Sequence, residues 1–217
     1  MGIALMPVWE DSADSVHDHG HRDSVGGLWD EIGRLQLDFL VQQGLRPEDV
    51  VVDVACGSLR GGVHLIRYLE PGHYLGIDKK IELVIYGVGA ELGLDTYREK
   101  RPRFVISDRF DFDRFERRPN FGIGQSIFTH LAAEDIILCL RKLRLQAADG
   151  CRFFASYRDV PSARENPPRS HSHEVFDYTR DQMTGFAAEG GWTFDYIGDW
   201  KHPRHLKMAA FTPRPAG

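Results

Sequence analysis

An α/β fold is predicted: a mostly parallel, seven-stranded sheet with helices on both faces and an antiparallel hairpin at the C-terminal edge. Two features of the 217-residue chain predict it. From Val50 onward, short apolar runs alternate with longer stretches of helical period, and strands joined through helices need crossovers that leave them parallel. The last two runs, WTFDYIGDW and LKMAAFTP, have only KHPRH between them. That link is too short for a crossover, so these two strands pair antiparallel.

The elements follow in order. Residues 1–26 are polar, rich in His and Asp and without period, which predicts a mobile N-terminal arm or cap; residues 27–217 form the domain. Leu28, Ile32, Leu35, Phe39 and Leu40 recur at helical spacing, and that helix ends near Gly44 with Pro47 beyond. Residues 50–55 read as a buried strand, 62–69 as a helix, 73–78 as a strand, 80–92 as a helix and 103–107 as a strand. A fourth strand is expected over 120–127, an apolar helix over 132–145 and a fifth strand over 151–157. The helix expected over 178–189 starts with Thr179 and Gln182 at capping-box spacing.

Bulk properties narrow the function. A formal charge of -5, with Lys and Arg scattered along the chain, gives no electrostatic footprint for a polyanion and argues against nucleic acid. Cys56, Cys139 and Cys151 are odd in number and lack C-x-x-C spacing, so neither a disulfide framework nor a zinc knuckle is expected. No apolar run is long enough to span a bilayer, and MGIALMPVWEDSAD has no basic flank. A reduced, cytoplasmic setting without membrane attachment is expected.

The chemistry concentrates in VVDVACGSLRGG, where a strand passes through a glycine turn into a helix. In an open parallel sheet such a turn lies at the ligand-binding crevice. The loop fits G-x-G-x-x-G poorly and lacks the G-K-[ST] of a Walker loop. It offers instead Asp53 on one side of the Gly57 turn and, on the other, Arg60 beside Gly61 at the helix start. Those opposite charges suit an amino-acid zwitterion, with Asp53 for an ammonium and Arg60 with helix amides for a carboxylate. Asp78 stands 25 positions later at the end of the second strand, where an acidic group takes ribose hydroxyls. An α-amino acid joined to a ribonucleoside describes S-adenosyl-L-methionine.

On these residues, from about Gly27 to Pro213, the chain resembles the class I S-adenosylmethionine-dependent methyltransferases, whose sheet is Rossmann-like. VVDVACGSLRGG is similar to their first motif, YLGIDKK to the second-strand acidic motif, VISDRFDF to the adenine segment and GIGQSIFTHL to the fourth-strand motif. The resemblance implies that Asp53, Ala55, Gly57, Ser58, Leu59 and Arg60 hold the methionine part, and Asp78 with Lys79 the ribose. It places Asp108, Arg109 and Phe110 at the adenine and Gln125 beside the sulfonium. The chain departs from that pattern at Ala55 and Leu59, which replace glycines, and at Gly122, where such enzymes often carry an aspartate.

The resulting expectation is in-line transfer of the sulfonium methyl to a small-molecule nucleophile, mostly by alignment and exclusion of water. His130, after the fourth strand, could serve as base or merely tie down the next helix. The loop over 160–175, with His171 and His173, could close over substrate, and Trp29 could cover the site. Phe128, Tyr157, Phe176 and Trp200 could line an apolar acceptor pocket or simply pack in the core. Methylation of a peptide or RNA base would need a recognition appendage or basic stripe, and neither is visible. An oxidoreductase using a nicotinamide dinucleotide on a similar sheet is the rival of another class. GVGAELG sits in a helix, where glycine serves close packing, and NPPR follows the wrong strand to be a nucleobase-methylating motif. His17, His19 and His21 fix no complete ligand set, so no metal is expected.

Overall fold

A computed structural model describes residues 9–10 and 20–215. Seven strands form the main sheet: β1 (Val51–Val54), β2 (Tyr74–Asp78), β3 (Arg103–Ile106), β4 (Phe121–Gly124), β5 (Arg152–Asp159), β6 (Trp192–Asp199) and β7 (Lys207–Pro213). Their order across the sheet is β3-β2-β1-β4-β5-β7-β6. The first five are parallel, whereas β7 runs antiparallel between β5 and β6. Chain order reverses between β1 and β4, so the crevice lies beyond the carboxyl ends of these two strands. In the hairpin Pro213 faces Trp192, so β7 ends at the sheet edge opposite the crevice.

After a single α-helical turn at His21–Ser24, the longer α-helices are α1 (Trp29–Gln42), α2 (Gly62–Tyr68), α3 (Ile81–Tyr86), α4 (Leu94–Lys100), α5 (Ala133–Gln146) and α6 (Arg180–Gly190). Residues alternate between the two faces of each strand, and the core divides accordingly. Val52, Ile77, Phe153 and Phe211 pack beneath α5 and α6 with Leu140 and Trp192. Val51, Tyr74, Phe121 and Phe154 pack on the opposite face with Phe39 and Leu40 of α1 and Leu65 of α2. Asp53 shares that second face, as does Asp78 at the end of β2.

Several boundaries differ from expectation for identifiable reasons. β4 stops at Gly124 because Ser126 turns left-handed, at φ 64°, and its N–H donates to the Ser156 hydroxyl at 2.8 Å. The helix expected over 80–92 is α-helical only as far as Tyr86 and widens into a π-helical turn over Gly87–Leu92. α4 was absent from the sequence reading because it buries no residue and therefore shows no apolar stripe. Tyr178, expected in a helix, instead forms with Asp177 a two-residue strand that pairs parallel with Arg158 and Asp159 at the end of β5, an eighth strand off the main path of the sheet. The Thr179 and Gln182 capping box forms as expected.

Gly122 has a packing explanation, since a Cβ there would meet Phe153 and Val52 side chains at 2.9 Å. The GVGAELG glycines divide in the same way. A Cβ on Gly87 would lie 2.6 Å from the Ser58 carbonyl oxygen, whereas one on Gly89 meets nothing within 4 Å. Gly87→Ala should therefore destabilise the protein by about 1–3 kcal/mol through overpacking. Gly89→Ala should stabilise it by about 0.5–1 kcal/mol. Urea denaturation of both variants checks the contrast, and equal effects would refute the packing explanation.

Candidate functional site

The crevice is a cavity of about 650 Å³, within the range of small-molecule sites. Its acidic wall comes from β1 and β2. Tyr74 donates its hydroxyl to the Asp53 carboxylate at 2.7 Å, and both residues are buried. Burial pushes Asp53 up to about 7, a rise that nearby Asp78 reinforces and that Tyr74 and Arg60 oppose. Asp78 accepts the Gly57 N–H on Oδ2 and the Lys80 N–H on Oδ1, each at 2.8 Å. Burial raises its pKa too, against those two amides and Lys79. Each Asp78 oxygen keeps a second lone pair for an incoming donor.

The turn between these acids is held in conformations that favour glycine. Ala55, Gly57 and Leu59 have φ of 60°, 54° and 67°. Ala55 is exposed on the cavity wall, where its methyl is the only side-chain obstruction that it presents. Leu59 is fully buried in the core, so its apolar packing offsets a left-handed backbone worth about 1–2 kcal/mol. Ser58 turns away from the cavity and donates to the His21 carbonyl at 3.0 Å. A Cβ on Gly57 would lie 2.6 Å from Val25, so the chain before α1 rests directly on this turn.

Cations form the opposite wall. Arg60 is 7% exposed; its Nη1 donates to the Gly27 carbonyl at 2.7 Å and its Nη2 to Gln125 Oε1 at 2.6 Å. Its Nε has no hydrogen-bond partner among the described residues. Burial lowers Arg60 to about 10, helped by Arg204 and opposed by Asp53. Gln125 Nε2 lies 3.0 Å from His202 Nε2, and the Arg204 N–H lies 3.2 Å from His202 Nδ1. Arg204 also donates to the Gly26 carbonyl. Further out, Arg22 pairs with both Glu91 oxygens at 2.7 and 2.8 Å, while His21 stacks on Tyr86 with ring centroids 5.5 Å apart. The part of the expected N-terminal arm within the described residues is thus fastened over the crevice. His17 and His19 lie outside the described residues.

The remaining walls separate into two ends. At one, Phe110, at φ 57° and 5% exposed, lines the cavity with Leu83 and Ser107. Asp108 and Arg109 do not line it. The Ser107 hydroxyl accepts the Arg109 N–H at 3.0 Å, and Lys142 Nζ donates to the Arg109 carbonyl at 2.7 Å, which fixes this turn. At the other end stand Ser126, His130, Ser172 and His173. His130 Nδ1 lies 3.1 Å from the Glu174 carbonyl, and the His130 carbonyl accepts the His171 N–H at 2.9 Å. Burial lowers the pKa of this imidazole, against the Glu174 and His171 backbones.

Of the residues singled out in the sequence, Asp53, Ala55, Gly57, Arg60, Asp78, Lys79, Phe110, Gln125 and His130 line one cavity. Of the two roles left open for four aromatic side chains, core packing is the one observed. Phe128, Tyr157, Phe176 and Trp200 are buried in the core and none of them lines the cavity. Trp29 touches His21 edge-on and Arg22 through its ring face, so it supports the covering segment instead of lining the site. Tyr74, His202 and Arg204 were missed. β2 alternation places Tyr74 on the Asp78 face, but nothing in KHPRH distinguishes Arg204 from an ordinary surface cation. No group of three or more His, Cys, Asp or Glu that could hold a metal occurs among the described residues.

This sheet order, with its antiparallel hairpin, is the class I S-adenosylmethionine-dependent methyltransferase fold. The chain is similar to the magnesium protoporphyrin IX methyltransferase ChlM from Synechocystis PCC 6803 with bound SAM. The identity is 15% and the TM-score 0.58, over 84% of this chain and 81% of that one. It is also similar to the CcbJ methyltransferase from Streptomyces caelestis, at 12% identity and a TM-score of 0.65, over 88% of this chain and 98% of that one. The DhpI–SAH complex matches at 16% identity and a TM-score of 0.59, over 86% of each chain. No protein-family model matches the chain.

Asp53 yields a prediction with a definite sign. The folded chain holds its proton up to about pH 7 while the unfolded chain releases it near 3.8. The associated stability is complete below the unfolded value and is lost as pH rises through about 7. Chemical denaturation of the ligand-free parent and of Asp53→Asn should show the parent losing stability relative to the variant across this window, by up to about 1.4 kcal/mol per pH unit. The difference isolates Asp53 from His64, His130 and His202, whose pKa values burial lowers and whose slopes therefore have the opposite sign. A constant difference between the two proteins would contradict a buried, protonated Asp53.

Proposed function

We propose that the protein is an enzyme that transfers the methyl group of S-adenosylmethionine to a small-molecule nucleophile. The observation that carries this reading is the pair of buried carboxylates, Asp53 and Asp78, set on one face around the Gly57 turn and opening into one cavity with Arg60. Asp78 would receive the ribose hydroxyls on its free lone pairs. Asp53 would receive the ammonium, which supplies the opposite charge that its burial lacks. Arg60 would meet the carboxylate through its unpartnered Nε. Of the three residues expected at the adenine, Phe110 alone lines the cavity, so the proposal gives it the base. The three similar methyltransferase structures support the reading through their fold, and two of them carry SAM or SAH.

The cofactor would bring a carbon already activated by positive sulfur. The chain then has to orient acceptor and methyl in line and exclude water. Gln125, held by Arg60 and close to His202, would form the wall beside the sulfonium. His130, kept neutral by burial, could take the proton that an acceptor hydroxyl or amine releases as its bond to the methyl forms. The acceptor end offers hydroxyls and imidazoles, and the rings of Phe128, Tyr157, Phe176 and Trp200 do not line it, which favours a polar acceptor.

Calorimetric titration with S-adenosylhomocysteine, NAD and NADP tests the reading. S-adenosylhomocysteine should bind, with affinity rising as pH increases through about 7, because Asp53 must release its proton to meet the ammonium. Asp53→Asn should abolish that pH dependence. Asp78→Ala should weaken binding at least about tenfold, a loss of roughly 1.4 kcal/mol, with circular dichroism unchanged. Binding of NAD without any response to S-adenosylhomocysteine would establish the dinucleotide alternative.

A further inference from the structure

The cationic wall of the cavity carries a second arginine that none of the roles above uses. Arg204 lies in the turn between β6 and β7, on the part of the sheet beyond β4 and β5 and away from the ribose strand β2. It lines the cavity and is exposed. Its placement is fixed from two sides: Nη2 donates to the Gly26 carbonyl, and its backbone N–H meets His202. Arg60 donates to the next carbonyl along, that of Gly27. Two guanidinium groups therefore grip consecutive peptides, whose α-carbons are only about 3.8 Å apart. Among the described residues no carboxylate forms a salt bridge with either arginine.

Such a cluster is unfavourable without an anion. Two like charges repel, and removing Arg60 from water costs free energy that only a counter-charge returns. The surroundings register the same field, since burial and then Arg60 and Arg204 push His202 down to about 4. Asp53, the acid that Arg60 senses, is engaged by Tyr74 on the inner wall. At the outer wall His130, His173 and Arg204 stand with the hydroxyls of Ser126 and Ser172, and the Asp23 carboxylate, which also lines the cavity beside Gly27, forms no salt bridge with either arginine. The Ser172 hydroxyl is itself buried without a hydrogen-bond partner among the described residues.

We propose that Arg204 is an acceptor-binding residue that anchors a carboxylate of the methyl acceptor, so that the acceptor class is small carboxylic acids bearing a hydroxyl or amine. This deepens the methyl-transfer reading and rests on it. Arg60, the more buried cation, serves the cofactor end, and Arg204 serves the mouth. A planar guanidinium matches a carboxylate through paired N–H donors, which would orient the acceptor as well as hold it. The acid remains bound as an anion during the reaction. The attacking oxygen or nitrogen forms the new bond to carbon, the sulfur keeps the electrons of the broken one, and the acceptor's proton leaves to a base such as His130.

The test uses protein saturated with S-adenosylhomocysteine and matched neutral and anionic probes: benzoate against benzamide, and 4-hydroxybenzoate against 4-hydroxybenzamide. Calorimetry should show each acid binding at least tenfold more tightly than its amide. Arg204→Gln should abolish that preference and Arg204→Lys should retain part of it, with affinity for S-adenosylhomocysteine unchanged. Equal binding of acid and amide, or a preference that survives Arg204→Gln, overturns the proposal. So does a parallel loss of S-adenosylhomocysteine affinity, which would assign Arg204 to the cofactor. A purely structural role in fastening Gly26 would weaken acid and amide alike. Failure of the wild-type protein to bind S-adenosylhomocysteine would instead remove the methyl-transfer reading itself.

Discussion

Two carboxylates share the underside of one tight turn, and the rest of the crevice is organised around keeping them there. The Gly57 amide donates to Asp78, and Tyr74 donates to Asp53, so the turn and both acids form one bonded unit. Its neighbours are cut to fit. Gly76 carries no side chain where a Cβ would come within 3.0 Å of Cys56 Sγ, and Gly87 lets a helix lie against the Ser58 carbonyl. The left-handed residues of the turn follow from the same demand, because only that backbone path brings Gly57 N–H under Asp78 while Leu59 enters the core. An acid buried with one hydroxyl partner is poorly stabilised as an anion, which makes the empty pocket receptive to a cation.

The other wall repeats the problem with reversed sign. Arg60 is buried within the field of Arg204 and Asp53, and its hydrogen-bond partners are carbonyl and amide oxygens. Hydrogen bonds of this kind satisfy donors but leave charge uncompensated. Opposite unsatisfied charges facing each other across one cavity complement a zwitterion more naturally than a diphosphate, which would need a row of amide donors and no acids.

The sheet was legible in the sequence because its signals are local. Alternating apolar runs gave the strands, the short KHPRH link gave the hairpin, and Thr179 with Gln182 gave the start of α6. Elements that bury nothing, such as α4, left no pattern to read. Within the site, the acids and Arg60 announced themselves by their distance from a glycine turn. Tyr74, His202 and Arg204 did not, because their roles depend on tertiary approach, and Arg204 meets Gly26 across 178 positions. Aromatic residues stayed ambiguous for a related reason. Phe128, Tyr157, Phe176 and Trp200 stand near strand ends in the sequence, yet their side chains point into the two core layers. Proximity to the crevice along the chain does not decide which way a ring faces.

The pairing of Pro213 with Trp192 sends the end of β7 to the far rim of the sheet. The segment from Gly20 to Gly27, by contrast, lies at the doorway, with Val25 on the glycine turn. The two ends of the domain are thus unequal as handles. Immobilised through the residues after Pro213, the molecule would present its crevice to flowing solution, whereas bulk fused just ahead of Gly20 would crowd the entrance.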